Sequence, residues 1–78
     1  MDVVVRVFAA QAEVLGVDRV TVVVGEPATV GAVRSALRET SVVFAGGGVV
    51  AVNAEYVSDE RVVDRKDEVA FIGPVAGG

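Results

Sequence analysis

Valine recurs at alternate positions in several short segments of the chain, a pattern typical of β-strands with one buried face. In residues 3–8 the two faces carry Val3, Val5 and Val7 on one side and Val4, Arg6 and Phe8 on the other. Because a guanidinium group is rarely fully buried, we expect the valine face to lie in the core and Phe8 to point outward with Arg6. The alternation therefore predicts a first strand over residues 3–8.

Three later segments also have strand character. Residues 19–24 place three valines on one face and Thr21 on the other, and residues 49–53 lead into a turn that is followed by a short return strand from Tyr56. In the last strand, residues 68–72, the inward side chains are Val69 and Phe71, and the outward ones are Glu68, Ala70 and Ile72. The first and last strands are unusually apolar, so we expect them to lie side by side at the centre of a sheet.

Two helices are predicted between these strands. Residues 9–15 contain good helix formers and end at Gly16, a residue typical of helix C-termini. Thr29 is predicted to cap a longer second helix that ends at Arg38 or Glu39. The apolar stripe of this second helix, which the sheet would cover, consists of Val30, Val33 and Leu37.

The remaining segments have no clear period. Residues 42–44 are interpreted as a short extended piece, and the glycines at 46–48 as a loop. Residues 58–67 are charged and rich in turn formers, and we expect Val62 and Val63 to tuck under the domain.

The order of these elements indicates an α+β fold of the β-grasp kind, in which one mixed sheet packs on one main helix. A single β-grasp domain is expected over residues 1–72, followed by a flexible C-terminal tail over residues 73–78. With 78 residues, 53% of them hydrophobic, the chain is large enough for one core and too small for two.

Composition narrows the possible functions. The chain has no Cys and no His, which removes the commonest nucleophile, the commonest general base and the softer ligands of zinc and iron sites. Its net charge of −4 argues against nucleic acid and anionic membranes as partners. No apolar run is long enough for a membrane span, and the first residues lack the basic region and long apolar stretch that are typical of a secretion signal. We therefore expect a soluble, cytoplasmic protein without catalytic side chains of its own.

Two segments resemble functional sites, but the sequence favours a structural interpretation of each. The glycines at 46–48 lack the Lys-Ser/Thr of a phosphate-binding P-loop and the spacing of a dinucleotide site, so a flexible connection is favoured. The carboxylates between Glu55 and Glu68 are interleaved with basic residues and miss the spacing of a calcium loop. A solvated charged surface is favoured there over a metal site.

The end of the chain and the outward side chains near it favour a role in binding and delivery. The last two residues are Gly77 and Gly78, and glycine backbone can pass through a channel too narrow for side chains. Six extended residues reach roughly 20 Å, enough to enter the active site of another protein. Phe8 and Ile72 are expected on one exposed surface near this tail, with Tyr56 close by, and such a cluster predicts a docking patch.

Residues 67–78 read Asp-Glu-Val-Ala-Phe-Ile-Gly-Pro-Val-Ala-Gly-Gly, and residues 50–53 read Val-Ala-Val-Asn. Together with the segments 8–9 and 13–16, they make the chain similar to the MoaD/ThiS family of ubiquitin-like sulfur carriers, and most to its molybdopterin synthase small-subunit branch. Two positions depart from that branch. Gly73 replaces the first of two usual prolines, which would loosen the root of the tail. Lys66 replaces a Gly, which would change the turn before the last strand.

The resemblance implies that the C-terminal carboxylate of Gly78 is the reagent. An E1-like adenylating enzyme would use ATP and Mg²⁺ to form an acyl-adenylate, and a sulfur donor would replace AMP to leave a thiocarboxylate. The large subunit of molybdopterin synthase would then take up the tail, and sulfur would pass to a pterin precursor to form the dithiolene of molybdopterin, in molybdenum cofactor biosynthesis. This chain would bind no cofactor or metal itself. The implied catalytic residues are Gly77 and Gly78, and the implied partner contacts are Phe8, Tyr56, Ile72, Pro74 and Val75.

Three other functions remain open at this stage. The chain could carry sulfur for the thiazole of thiamine or for another pathway. It could be a ubiquitin-like modifier joined to lysines through Gly78, since that use needs the same adenylate. It could also be a β-grasp binding module whose Gly-Gly end is incidental.

Overall fold

The structure, a computed structural model, describes residues 1–74, which form five strands and two α-helices. In chain order the elements are β1 (Asp2–Val7), α1 (Ala9–Leu15), β2 (Arg19–Val23), α2 (Val30–Thr40), a 3-10 helix (Val42–Phe44), β3 (Val49–Val52), β4 (Glu55–Tyr56) and β5 (Val69–Ile72). Every predicted strand and both predicted α-helices are present, with only small shifts at their ends. None of the helices in this part of the chain is long and apolar enough to cross a membrane.

The strands form one mixed sheet in the order β2-β1-β5-β3-β4. β1 and β5 are parallel, with Val5 opposite Val69 and Val7 opposite Phe71, whereas the other neighbouring pairs are antiparallel. The last strand therefore lies in the middle of the sheet beside the first one, as the apolar character of both strands predicts. The architecture is that of a ubiquitin-like β-grasp fold.

One face of the sheet packs on α2 to form the core. Its side chains include Val3, Val5 and Val7 of β1 and Val69 and Phe71 of β5, all of which are buried. The predicted stripe of α2 is fully buried against them. α2 begins where Thr29 caps it, because the Thr29 hydroxyl accepts a hydrogen bond from the N–H of Ala32 at 3.2 Å. The predicted facing of β1 and β5 is thus confirmed.

The interpretation of residues 42–44 as an extended piece is wrong, because they form a 3-10 helix. The side-chain oxygen of Ser41 accepts a hydrogen bond from the N–H of Val43 at 3.3 Å and starts this tight turn. The turn carries Phe44 into the core, where its ring meets that of Phe71 edge-on with 5.0 Å between the centroids. Burial of one aromatic ring, which local periodicity does not reveal, decides the conformation.

The structure corrects the expectation for Val62 and Val63 and shows the conformation of the turn around Lys66. Val63 is buried, but Val62 is exposed, so only one of the two tucks under the domain; adjacent residues of an extended chain point to opposite sides. The turn at 64–67 closes with a hydrogen bond from the N–H of Asp67 to the carbonyl of Asp64 at 3.0 Å. Lys66 does not adopt a left-handed conformation there, so the turn does not require glycine.

Candidate docking surface and tail root

The face of the sheet opposite α2 has small side chains at its centre. Arg6, Ala70, Ala51 and Tyr56 lie opposite one another across β1, β5, β3 and β4. The two alanines leave a hollow of about 250 Å³ between the larger side chains around them. A hollow of this kind is suited to receive a protruding apolar side chain from a partner.

The three side chains predicted to form a docking patch all line this hollow. We call Phe8, Tyr56 and Ile72 the docking patch. Phe8 is 42% exposed and Tyr56 is 75% exposed, whereas Ile72 is half-buried. The structure therefore brings together residues that lie far apart in the sequence, and it leaves their apolar surface accessible.

A second hollow, of about 260 Å³, adjoins the docking patch. It lies between the start of α1 and the end of β5, and Phe8 and Ile72 line both hollows. Its wall also includes Gly73 and Pro74, which follow β5 directly. The predicted contact residue Pro74 thus lies beside the docking patch, at the root of the tail.

Charged groups border the docking patch on one side. The guanidinium of Arg6 lies over the ring of Phe8, 5.5 Å from its centroid, and its Nη1 is 3.6 Å from Oε1 of Glu68. Both members of this ion pair are well exposed, so it contributes little to stability. Their arrangement gives an apolar centre and a polar rim, as protein–protein interfaces have.

The backbone at the end of β1 explains why Phe8 points outward. Phe8 remains extended at φ −136° and ψ 165°, so it continues the alternation of β1 and follows Arg6 onto the outer face. Ala9 then adopts φ 49°, which turns the chain into α1. The carbonyl of Phe8 accepts a hydrogen bond from the N–H of Ala12 at 3.3 Å, which fixes the start of the helix.

The tail itself is only partly within the described residues. Gly73 and Pro74 are described, whereas Val75, Gly77 and Gly78 lie outside them. The roles predicted for Val75, Gly77 and Gly78 therefore stay predictions.

One titratable group of the described part has a perturbed environment, and it lies in the segment before β5. Residues 1–74 hold no cluster of three acidic side chains that could bind a metal ion. The carboxyl of Asp67 has a lowered pKa, mainly because the N–H of Asp64 donates to it at 2.8 Å and the amide of Asn53 at 2.9 Å. Because Asn53 also accepts from the N–H of Glu68 at 2.9 Å, this network ties the β3–β4 turn to the start of β5.

Sequence reasoning missed two kinds of residue at this surface. Ala51 and Ala70 shape the first hollow by being small, and only the sheet register shows that they are neighbours. Gln11 of α1 lines the second hollow and packs on Gly73. No sequence signal identifies Gln11, because α1 has only seven residues and none of them is buried.

Comparisons with known proteins identify the family of the chain. The sequence profile of the ThiS family matches residues 5–78, which is nearly the whole chain. No protein of curated function has a significant sequence match.

Solved structures of several proteins have the same fold. One is the putative molybdopterin converting factor, subunit 1, from Pyrococcus furiosus, with a TM-score of 0.78, 27% identity and coverage of 96% of this chain and 99% of that one. Another is small archaeal modifier protein 1 from Haloferax volcanii, with a TM-score of 0.77, 28% identity and coverage of 95% and 98%. A complex of subunits 1 and 2 of the molybdopterin-converting factor from Helicobacter pylori matches at a TM-score of 0.65 and 20% identity over 100% of both chains, which shows the fold alone.

Proposed function

The chain belongs to the ThiS family, and from that membership we propose that it is a sulfur carrier acting as the small subunit of a molybdopterin synthase. The observation that supports this proposal best is the position of the docking patch. The central strand β5 runs directly from this patch into the Gly-Gly end, so a partner bound to the patch would hold the tail at its own active site. The likeness to the molybdopterin converting factor subunit of P. furiosus favours the molybdopterin branch.

The chemistry resides at the carboxylate of Gly78. A carboxylate is a poor electrophile, so an adenylating enzyme first joins it to AMP, with ATP as the source and pyrophosphate as the product. The outer sulfur of a persulfide donor then attacks the carbonyl carbon and AMP leaves, which gives an acyl disulfide. A second thiol attacks the donor's sulfur in this S–S bond, so that the thiocarboxylate is released and a disulfide remains on the donor side. The large subunit would take up this tail and pass its sulfur to a pterin precursor. The chain itself supplies the docking patch and a backbone end narrow enough to enter that site.

The test is the intact mass of the protein after incubation with its adenylating enzyme, ATP, Mg²⁺ and a sulfur source. We expect one oxygen to be exchanged for sulfur and the change to map to the C-terminal peptide. A variant that lacks Gly78 and a variant extended by one residue are the matched controls, and neither should react. Equal thiolation of the shortened variant would contradict the carrier mechanism.

The branch is tested separately by mixing the thiocarboxylated protein with a large subunit and a pterin precursor. Formation of the dithiolene is the expected result. If the thiocarboxylate forms but no dithiolene does, the chain carries sulfur for a different acceptor, such as the thiazole of thiamine. Genes next to the one that encodes this chain would indicate which acceptor that is.

A role as a ubiquitin-like modifier is the second candidate, and the likeness to the H. volcanii small archaeal modifier protein favours it. The same acyl-adenylate would react with the amine of a lysine instead of sulfur, so that AMP leaves and an isopeptide bond forms. Cells that express a tagged form of the chain should then contain a ladder of larger tagged proteins. Loss of that ladder on deletion of Gly78 would support the modifier function, and absence of the ladder in cells that express the tagged full-length chain would contradict it.

A further inference from the structure

Gly73 is a glycine whose backbone does not require one. Among the described glycines, those with positive φ are Gly16, Gly47 and Gly48, and Gly73 is not one of them. What a side chain at position 73 would meet is the amide of Gln11: a Cβ built there overlaps its Cδ, Oε1 and Nε2 atoms. Gln11 therefore occupies the space that a larger residue at position 73 would fill.

Gln11 has no evident structural role in the core. It is half-buried on a helix that has no fully buried residue. Within residues 1–74 its side-chain amide takes part in none of the side-chain hydrogen bonds. Among the described residues that line the second hollow, Gln11 has the one polar side chain, and the other walls are Phe8, two alanines and the end of β5 with Gly73 and Pro74. Gly73 lies directly beside this amide.

The position of this contact gives it a consequence for the tail. Pro74 has a fixed φ, and it restricts the residue before it to extended conformations. Gly73 is therefore the joint, meaning the single residue that links the rigid strand β5 to Pro74. Glycine has the largest backbone conformational freedom of any residue at such a position. A side chain packed on one side of this joint removes part of that freedom and biases the direction in which the chain leaves the sheet.

We propose that Gln11 is a positioning residue that braces the root of the tail, so that Gln11 and Gly73 act as a matched pair. This inference rests on the proposed function, because it concerns how the tail is aimed at the partner that activates or uses Gly78. In the family that the sequence resembles, a proline stiffens position 73. In this chain the stiffness comes from a side chain of the neighbouring helix instead.

The first test is NMR spectroscopy of the free protein and does not depend on any sulfur chemistry. We expect nuclear Overhauser contacts between the side-chain amide protons of Gln11 and the α-protons of Gly73. In Gln11→Ala the ¹⁵N order parameter of Gly73 should fall while the urea midpoint of unfolding stays unchanged. Gln11→Met, which keeps the bulk of the side chain, and Glu13→Ala, which changes an exposed residue of the same helix, should both retain the wild-type order parameter. Equal order parameters in Gln11→Ala and the wild type would overturn the proposal.

The second test measures adenylation of Gly78 by the partner enzyme. Partial loss of the brace in Gln11→Ala should raise KM roughly threefold or more and change kcat little, because more backbone freedom is then lost when the tail binds. Adding Gly73→Pro to Gln11→Ala should restore KM, because the proline ring stiffens the joint in place of Gln11. No rescue, together with an unchanged KM in Gln11→Ala, would refute the brace. No adenylation of the wild type would refute the proposed function and leave the NMR result to decide on the brace.

Discussion

Gly48 lies just before β3, and the structure shows why this position needs glycine. Its φ is +136°, and a Cβ there would lie 2.5 Å from Cζ of Phe71 and 2.8 Å from the carbonyl oxygen of Ile72. The substitution Gly48→Ala combines an unfavourable backbone conformation with overpacking against a buried ring. We expect it to lower the free energy of unfolding by roughly 2–4 kcal/mol, measured by urea denaturation.

The neighbouring Gly46 is the matched control for that prediction. It has no atom within 4 Å of a built Cβ and no positive φ. Gly46→Ala should leave the stability unchanged or raise it by about 0.5 kcal/mol, because it reduces the freedom of the unfolded chain. If both substitutions have the same effect, the approach of Gly48 to Phe71 is not what constrains the loop.

Asp67 gives a prediction about pH. The N–H of Asp64, the amide of Asn53 and, less, Arg61 favour its ionised form, so its pKa in the folded protein lies below its usual value. A carboxyl with a depressed folded pKa stabilises the fold above its unfolded pKa of about 4, and the contribution is lost as the pH falls through the folded value. Asp67→Asn should therefore be less stable than the wild type near neutral pH, and the gap should narrow below about pH 4. Denaturation curves across this range provide the measurement, and a gap that does not change with pH would contradict the assignment.

For several single residues, the sequence alone predicts the structural role correctly. Val3, Val5 and Val7 face the core as their alternation predicts, and Gly16 and Thr29 end and begin helices as their chemistry predicts. These roles depend on local conformation, which the sequence encodes directly.

The close approach of Gly48 to Phe71 and the packing of Gln11 on Gly73 depend on contacts between distant segments. No local pattern identifies contacts of this kind.

At the level of elements, strand alternation correctly placed Phe8 and Ile72 on the outer face of the sheet and failed to describe the segment 42–44. Phe8 and Ile72 belong to strands whose two faces differ clearly in polarity, so the outer face was predictable. The segment 42–44 is apolar without alternation, and its conformation follows from the burial of Phe44 against Phe71.

The two faces of β1 and β5 predict opposite effects of substitution. Phe8→Ala and Ile72→Ala should weaken binding of the partner at least about tenfold and change stability by less than roughly 1 kcal/mol, because these residues lie on the accessible patch. Val5→Ala and Phe71→Ala are the controls on the buried face of the same strands, and they should reduce stability by about 1–5 kcal/mol. Titration calorimetry combined with chemical denaturation of each variant separates the effects. A Phe8→Ala variant that unfolds as readily as Val5→Ala would remove the basis for the patch.

For the whole molecule, we expect the domain and its Gly-Gly end to respond independently to substitution. Gly77→Val adds a branched side chain next to the carbonyl that we propose to react. We expect the melting temperature to stay nearly constant while sulfur transfer falls sharply, because the widened backbone would no longer pass through a narrow site. Thermal unfolding and the mass-based thiolation assay measure the two quantities. A large drop in melting temperature would show instead that the end of the chain packs on its own domain.

The central place of β5 has a consequence for biosynthesis. Because this strand is made last and lies between β1 and β3, a nascent or broken chain that stops before Val69 leaves both of those strands with an unpaired edge in the middle of the sheet. Such a fragment cannot close the core around α2, and it would be open to proteolysis. Completing the domain therefore requires synthesis to reach the last residues before the tail. In this architecture, folding itself selects for molecules in which synthesis has passed the fifth strand.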